Sequence, residues 1–162
     1  MRVGISGHQK IRPSQACAWV ETALRDELIA QNATVGVSCL AAGADQIFAA
    51  IVLELGLELE AIIPCEDYIS AFTQAESKEQ YAMLSARAIY HYKLGYPEPS
   101  EEAFLRAGEH VVDSCDVMLF VWNGEPARGR GGTEEIVDYA VKKAVPYVRL
   151  NPSNQSVERF YC

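Results

Sequence analysis

The sequence predicts an α/β domain in three layers: a mainly parallel sheet with helices on both faces. Three observations carry this expectation. Short apolar runs alternate with helical patterns between residues 2 and 150, the order in which strands feed crossover helices. The clearest run, Val117-Met118-Leu119-Phe120-Val121, is continuously apolar, which marks a strand buried on both faces. Unusual punctuation (Gly, Pro, His or Asp) stands at the carboxyl end of the strands, the edge at which such sheets bind ligands.

Residues 2–6 form a first apolar strand that ends in Gly7-His8-Gln9-Lys10. Pro13 and Ser14 open an amphipathic helix with Ala16, Val20, Ala23, Leu24 and Leu28 on one face, the spacing of a buried helical stripe. A Val-rich strand at 34–39 leads into Leu40-Ala41-Ala42-Gly43-Ala44-Asp45, followed by a helix at 46–55 that Gly56 stops. Residues 57–63 form a third strand closed by Pro64. The middle is less regular, with a helical turn at 68–72, a helix at 78–87 and a strand at 88–94 rich in Ile and Tyr. Gly95-Tyr96-Pro97-Glu98-Pro99 breaks the chain, and Ser100 with Glu101 and Glu102 starts a helix to residue 112. A strand at 116–121, a glycine loop, a helix at 133–144 and a strand at 145–150 close the domain. Residues 1–150 thus read as a single domain, and 151–162 as a surface tail.

A chain of 162 residues fits one domain with a substantial core. The net charge of −8 argues against broad nucleic-acid binding, which draws on a basic face. No apolar run nears the ~20 residues of a membrane span, and the first seven residues are too short in their apolar part for a secretory signal. The five cysteines form no Cys-x-x-Cys pair and no metal spacing with His8, His91 or His110. Scattered thiols of this kind suit a reduced, cytoplasmic setting. No metal and no cofactor is expected.

The most informative stretch is Trp122-Asn123-Gly124-Glu125-Pro126-Ala127-Arg128-Gly129-Arg130-Gly131-Gly132-Thr133, four glycines and two arginines between a strand and a helix. Glycine lets backbone approach a ligand, and the free N–H groups of a helix start attract anions. Gly124, Gly131, Gly132 and Thr133 are therefore candidates to hold a phosphate, with Arg128 and Arg130 as cationic help. The alternative for Gly131 to Thr133 is a tight turn and an ordinary helix cap. Gly7, His8 and Gln9 after the first strand, and Gly43 and Asp45 after the second, are the other ligand candidates. An acid at Asp45 is also what a helix dipole favours without any ligand. Tyr68 and Trp122 are either stacking residues for a base or strand-end packing.

Three segments in this order, Gly4-Ile5-Ser6-Gly7-His8-Gln9, Ser38-Cys39-Leu40-Ala41-Ala42-Gly43-Ala44-Asp45-Gln46, and Cys115-Asp116-Val117 through Gly131-Gly132-Thr133, resemble the SLOG branch of a superfamily. That superfamily also contains the cytokinin-activating nucleotide phosphoribohydrolases (the LOG enzymes) and the fold of DNA-processing protein A. The resemblance covers residues 1–150. It implies a modified Rossmann fold that binds nucleotides or nucleotide-derived signals, and self-association, for which the helical faces of 78–87 and 100–112 are the candidates. In the LOG enzymes a Pro-Gly-Gly-x-Gly-Thr-x-x-Glu motif holds phosphate and supplies a carboxylate, and an arginine from the preceding helix completes the site. Here Gly132-Thr133 matches the Gly-Thr, the proline is absent, and Ile136 stands at the carboxylate position. Glu134 and Glu135 lie one or two places early, and Arg106 lies close to the position of the family arginine.

Two functions follow. The first is binding of a nucleotide or nucleotide-derived ligand, as a sensor or carrier, through the phosphate loop at the carboxyl edge of the sheet. The second is a nucleoside-monophosphate N-glycosidase that cleaves base from ribose 5′-phosphate. There Glu134 or Glu135 would serve as the catalytic carboxylate and Arg106 or Arg128 would orient the phosphate. Ile136 counts against the second.

Overall fold

The computed structural model describes residues 1–126 and 132–161. Arg128, Arg130 and Gly131, three of the candidate ligand residues, lie outside the described residues. The chain is a three-layer α/β domain whose seven strands run in the order β4-β3-β2-β1-β5-β6-β7. These strands are β1 Arg2–Gly7, β2 Val35–Ser38, β3 Glu58–Cys65, β4 Tyr90–Tyr96, β5 Val117–Val121, β6 Tyr147–Asn151 and β7 Ser156–Phe160. All neighbouring pairs are parallel except β6 with β7. The helices are α1 Cys17–Ala30, α2 Ala44–Glu54, α3 Ala75–Arg87, α4 Glu101–Asp113 and α5 Thr133–Lys142.

The strand order reverses at β1. The chain steps outward from β1 to β4, then returns through α4 to β5 on the other side of β1. A fixed crossover hand then places later helices on the opposite face. The core shows this division. Val20, Leu24 and Leu28 of α1 and Phe48, Ala49 and Val52 of α2 pack against Val3, Ile5, Leu119 and Val121. Ala107, Val111 and Val112 of α4 and Ile136, Val137 and Ala140 of α5 pack against Met118 and Phe120. Successive residues of β5 thus serve opposite layers, which is why its sequence is apolar without alternation. No helix among the described residues is long and apolar enough to cross a membrane.

Several boundaries differ from those read in the sequence. Helix α2 begins at Ala44, not at 46, because Gly43 takes the cap position with φ +84°. Strand β3 passes through Pro64 to Cys65. Its pairing with β2 has already ended at Ala61, and its register with β4 shifts between Ile63 and Cys65. A proline is tolerated at such a bulge, where no ladder bond is lost. Strand β4 continues through Gly95 to Tyr96. The helix at Ser100 starts as expected, the Ser100 hydroxyl accepting the Ala103 N–H at 3.0 Å.

The segment read as a tail instead carries β7, which pairs with β6 from Tyr147↔Phe160 to Asn151↔Ser156. Arg159 reaches from it to Glu27 of α1. Glu27 is almost fully buried, and its second oxygen, Oε2, has no hydrogen-bond partner among the described residues. Replacing Arg159 with Ala leaves a buried carboxylate alone. Loss of such a partner costs 3–5 kcal/mol in a fully buried pair. Arg159 is 44% exposed, so solvent screening lowers the expected loss to about 2 kcal/mol, to be read as a lower urea midpoint. An unchanged midpoint would show that the pair contributes nothing.

Candidate functional site

The carboxyl ends of β1, β2, β3 and β5 open on one cleft of about 820 Å³. It lies at the end of the β1–β5 pair, the reversal point of the sheet and the place where open α/β sheets bind ligands. Of the residues named from sequence, Gly7, His8, Gln9, Asp45, Tyr68, Trp122, Gly132, Thr133 and Glu134 line it. Gly43, Gly124, Arg106 and Glu135 are not among its lining residues.

The β1 and β5 loops are tied together. The His8 N–H donates to the Val121 carbonyl at 3.0 Å, and the Asn123 N–H donates to His8 Nε2 at 3.1 Å. Nε2 is therefore an acceptor, and the neutral ring carries its proton on Nδ1. Burial lowers the His8 pKa, which keeps the ring neutral. Trp122 belongs to the same loop: its indole N–H donates to the Glu125 carbonyl at 2.9 Å, and the Arg149 guanidinium lies over its ring. Gly124 takes φ +86° beside Arg149. The tryptophan thus borders the cleft while holding the loop together.

The β2 loop is clasped to the β1 loop. The Ala44 N–H donates to the His8 carbonyl at 3.1 Å. A Cβ on Gly43 would lie 2.4 Å from the carbonyl oxygens of both His8 and Gln9. The requirement for glycine there comes from backbone packed on backbone. Leu40, fully buried, adopts φ +57°, a strained conformation of the sort that clusters at functional loops.

Asp45, in the first turn of α2, is 6% exposed. Burial pushes its pKa up to about 7, against the nearby backbone N–H groups of Ala41 and Cys39 and the Ser38 hydroxyl, which favour the charged form. The Cys39 thiol beside it is held well above its ordinary value by burial. A thiol kept protonated is a poor nucleophile. Among the described residues no three His, Cys, Asp and Glu side chains converge as a metal ion would require.

Helix α5 starts at the cleft. Gly132 is its cap residue at φ −76° with no side-chain cap, and Thr133 is its first residue. The N-terminal end of α5 therefore lies at the cleft wall. Ile136, at the position where the LOG motif has a carboxylate, is 2% exposed. It fills the space above Gly108 of α4, where a Cβ would meet it at 2.5 Å. This position is a helix–helix contact. Arg106 turns outward on α4, half exposed and paired with Glu109 at 2.7 Å.

Sequence reasoning named Tyr68 as a stacking candidate but missed Phe72 and Phe104, which complete the apolar end of the cleft. Tyr68 and Phe72, on and just after the 3-10 turn Tyr68–Ala71, line it together with Phe104 from the first turns of α4. Tyr68 meets Phe72 at 5.1 Å and Tyr81 at 5.3 Å, both edge to face, and Phe104 at 6.3 Å. Gln74, Ser77 and Asn123 are polar lining residues that were also missed. The available signal was topological: every helix that follows a strand in this fold starts at the same edge.

No protein-family model matches the sequence, and no curated protein matches it. Among solved structures, DNA processing protein A from Helicobacter pylori, described by its single-stranded DNA binding mode, superposes with a TM-score of 0.69 at 20% identity. It is matched over 95% of this chain and 70% of its own. DNA processing protein A from Streptococcus pneumoniae gives 0.66 at 18% identity over 91% of this chain, which spans about half (49%) of that protein. The molybdenum cofactor binding protein of Rippkaea orientalis gives 0.59 at 14% identity, over 95% and 85% of the two chains. These likenesses establish the Rossmann-like fold. They also correct one expectation. A protein of this fold binds single-stranded DNA, so a net charge of −8 does not exclude nucleic acid as a partner. Charge summed over a surface says nothing of the few groups in one cleft.

Proposed function

We propose that the cleft binds a nucleotide or nucleotide-derived ligand, with a phosphate on the N–H groups at the start of α5. The observation that supports this most is the cleft's position: it opens at the carboxyl ends of β1 and β5, where the strand order reverses, and has Gly132 and Thr133 in its wall. A helix N-terminus favours an anion through both its free donors and its dipole. The clasp of Gly43 on the β1 loop leaves no room for a base there, and the ring end of the ligand is assigned to the apolar end of the cleft. Single-stranded DNA, the ligand named for DNA processing protein A, is built of nucleotide units of this class.

Gly132→Asp tests the phosphate position. Asp is a favoured cap residue and the backbone there suits it, so thermal stability is expected to hold or rise slightly. Its carboxylate occupies the anion site, and affinity for ribose 5-phosphate is expected to fall by about tenfold or more, a loss of ~1.4 kcal/mol. Unchanged affinity in isothermal titration would remove the phosphate from α5.

A hydrolytic reading rests on Glu134, which lines the cleft. It requires Glu134 to take the part that Ile136 cannot. Release of free base from a nucleoside monophosphate, lost in Glu134→Gln, supports it; binding without release supports a sensor or carrier.

A further inference from the structure

We propose that Tyr68 reads the ring end of the ligand. Its hydroxyl donates to an acceptor on the edge of a planar heteroaromatic ring, and Asp45 accepts from the neighbouring ring N–H or amino group. This rests on the reading of the cleft as a nucleotide site.

Tyr68 is 5% exposed and lines the cleft, and its hydroxyl makes no hydrogen bond among the described residues. A buried tyrosine ordinarily finds a partner for its hydroxyl, so an unpartnered one that borders a cleft marks a place for a ligand atom. Burial raises the Tyr68 pKa well above its ordinary value, so the phenol stays a donor. Asp45 and Cys39 lie near enough to contribute to that rise. The ring is fixed on three sides by Phe72, Tyr81 and Phe104, so the hydroxyl is held in place before any ligand arrives, and little ordering is lost on binding.

The chemistry of the ring follows from the two groups. Asp45, 6% exposed in the cleft wall, is a pure acceptor when ionised. An acceptor on Asp45 and a donor on Tyr68 in the same cleft complement a ring that presents both a donor and an acceptor on its edge. Purine nucleobases and pterins have such edges; a bare sugar phosphate has none. Phe104 and Phe72 supply apolar flanks for the ring.

The test measures affinities by isothermal titration for the 5′-phosphates of adenosine, guanosine and purine riboside, for neopterin phosphate, and for ribose 5-phosphate. At least one donor-and-acceptor ring is expected to bind tenfold or more tighter than ribose 5-phosphate. Purine riboside phosphate, which has a ring acceptor but no adjacent donor, should lose most of that gain. Tyr68→Phe keeps the packing and removes only the hydroxyl. It should reduce the ring advantage about tenfold and leave ribose 5-phosphate unchanged; Phe104→Ala should weaken all ring-bearing ligands alike. If Tyr68→Phe binds every ligand as the unaltered protein does, or no ring improves on ribose 5-phosphate, the assignment of Tyr68 is overturned. The phosphate reading then still stands on ribose 5-phosphate binding and its loss in Gly132→Asp. If nothing binds, both fall.

Discussion

Gly43→Ala is expected to destabilise the protein by about 3–4 kcal/mol, the largest effect of any single methyl group in the cleft region. Two costs add. The residue holds φ +84° and ψ −126°, outside the region an L side chain accepts, a strain of roughly 1–3 kcal/mol. The new Cβ would also sit 2.4 Å from two backbone carbonyl oxygens, those of His8 and Gln9. Backbone cannot move aside as a flexible side chain does, so the β1 and β2 loops must part, at a further cost of roughly 1–3 kcal/mol. For a domain of this size each kcal/mol lowers the Tm by about 2–4 °C, which gives a fall near 10 °C. Because the clasp holds one wall of the cleft, ligand affinity should fall as well, even at temperatures where the variant is folded. A Tm within 2 °C of the unaltered protein would show that the clasp is loose.

The Asp45 carboxyl should titrate near neutrality, at about 7 against an ordinary aspartate value of 3.8. The sign of the stability effect follows from linkage. Between pH 4 and 7 the unfolded chain has lost this proton and the folded chain has kept it, so the folded state binds more protons and stability falls as pH rises. The contribution is fully present below about pH 4, is lost progressively up to about pH 7, and is constant above it. The gap corresponds to on the order of 4 kcal/mol. Asp45→Asn removes the titration, and its unfolding free energy should lack this downward slope between pH 5 and 7. The difference in slope between the two proteins isolates this group from the other acids. Direct observation of the Asp45 carboxyl carbon by NMR gives the midpoint; one near 4 would show that the surrounding polar groups outweigh burial.

Asp45 also shows where reading the sequence reached its limit. An acid at the start of a helix is explained by the helix dipole alone, and the sequence offered no reason to prefer more. Its burial draws on residues farther along the chain: Tyr68 shares its cleft wall, and Gln46 next to it donates to the Ser77 carbonyl at the start of α3 at 2.9 Å. Gly43 was legible as a special position but not for its reason, since the carbonyls it must clear belong to a loop over thirty residues earlier. Ile136 was legible in full. The motif comparison placed an apolar residue at the carboxylate position, and the structure puts it between α4 and α5 over Gly108.

What the sequence determined by itself was the layer architecture and the edge of the sheet that carries the site. Both depend on local patterns: continuous apolar strands require cover on both faces, and helix starts follow strand ends. The tertiary structure decided which residues share the cleft. Phe104, Tyr68 and Asp45 lie on different elements, and only the reversal of strand order at β1 fixes which loops stand side by side. It also decided that residues 156–160 are an edge strand. An exposed antiparallel strand buries too little apolar surface to leave a pattern, and its place is set by pairing with β6 and by the reach of Arg159 to Glu27.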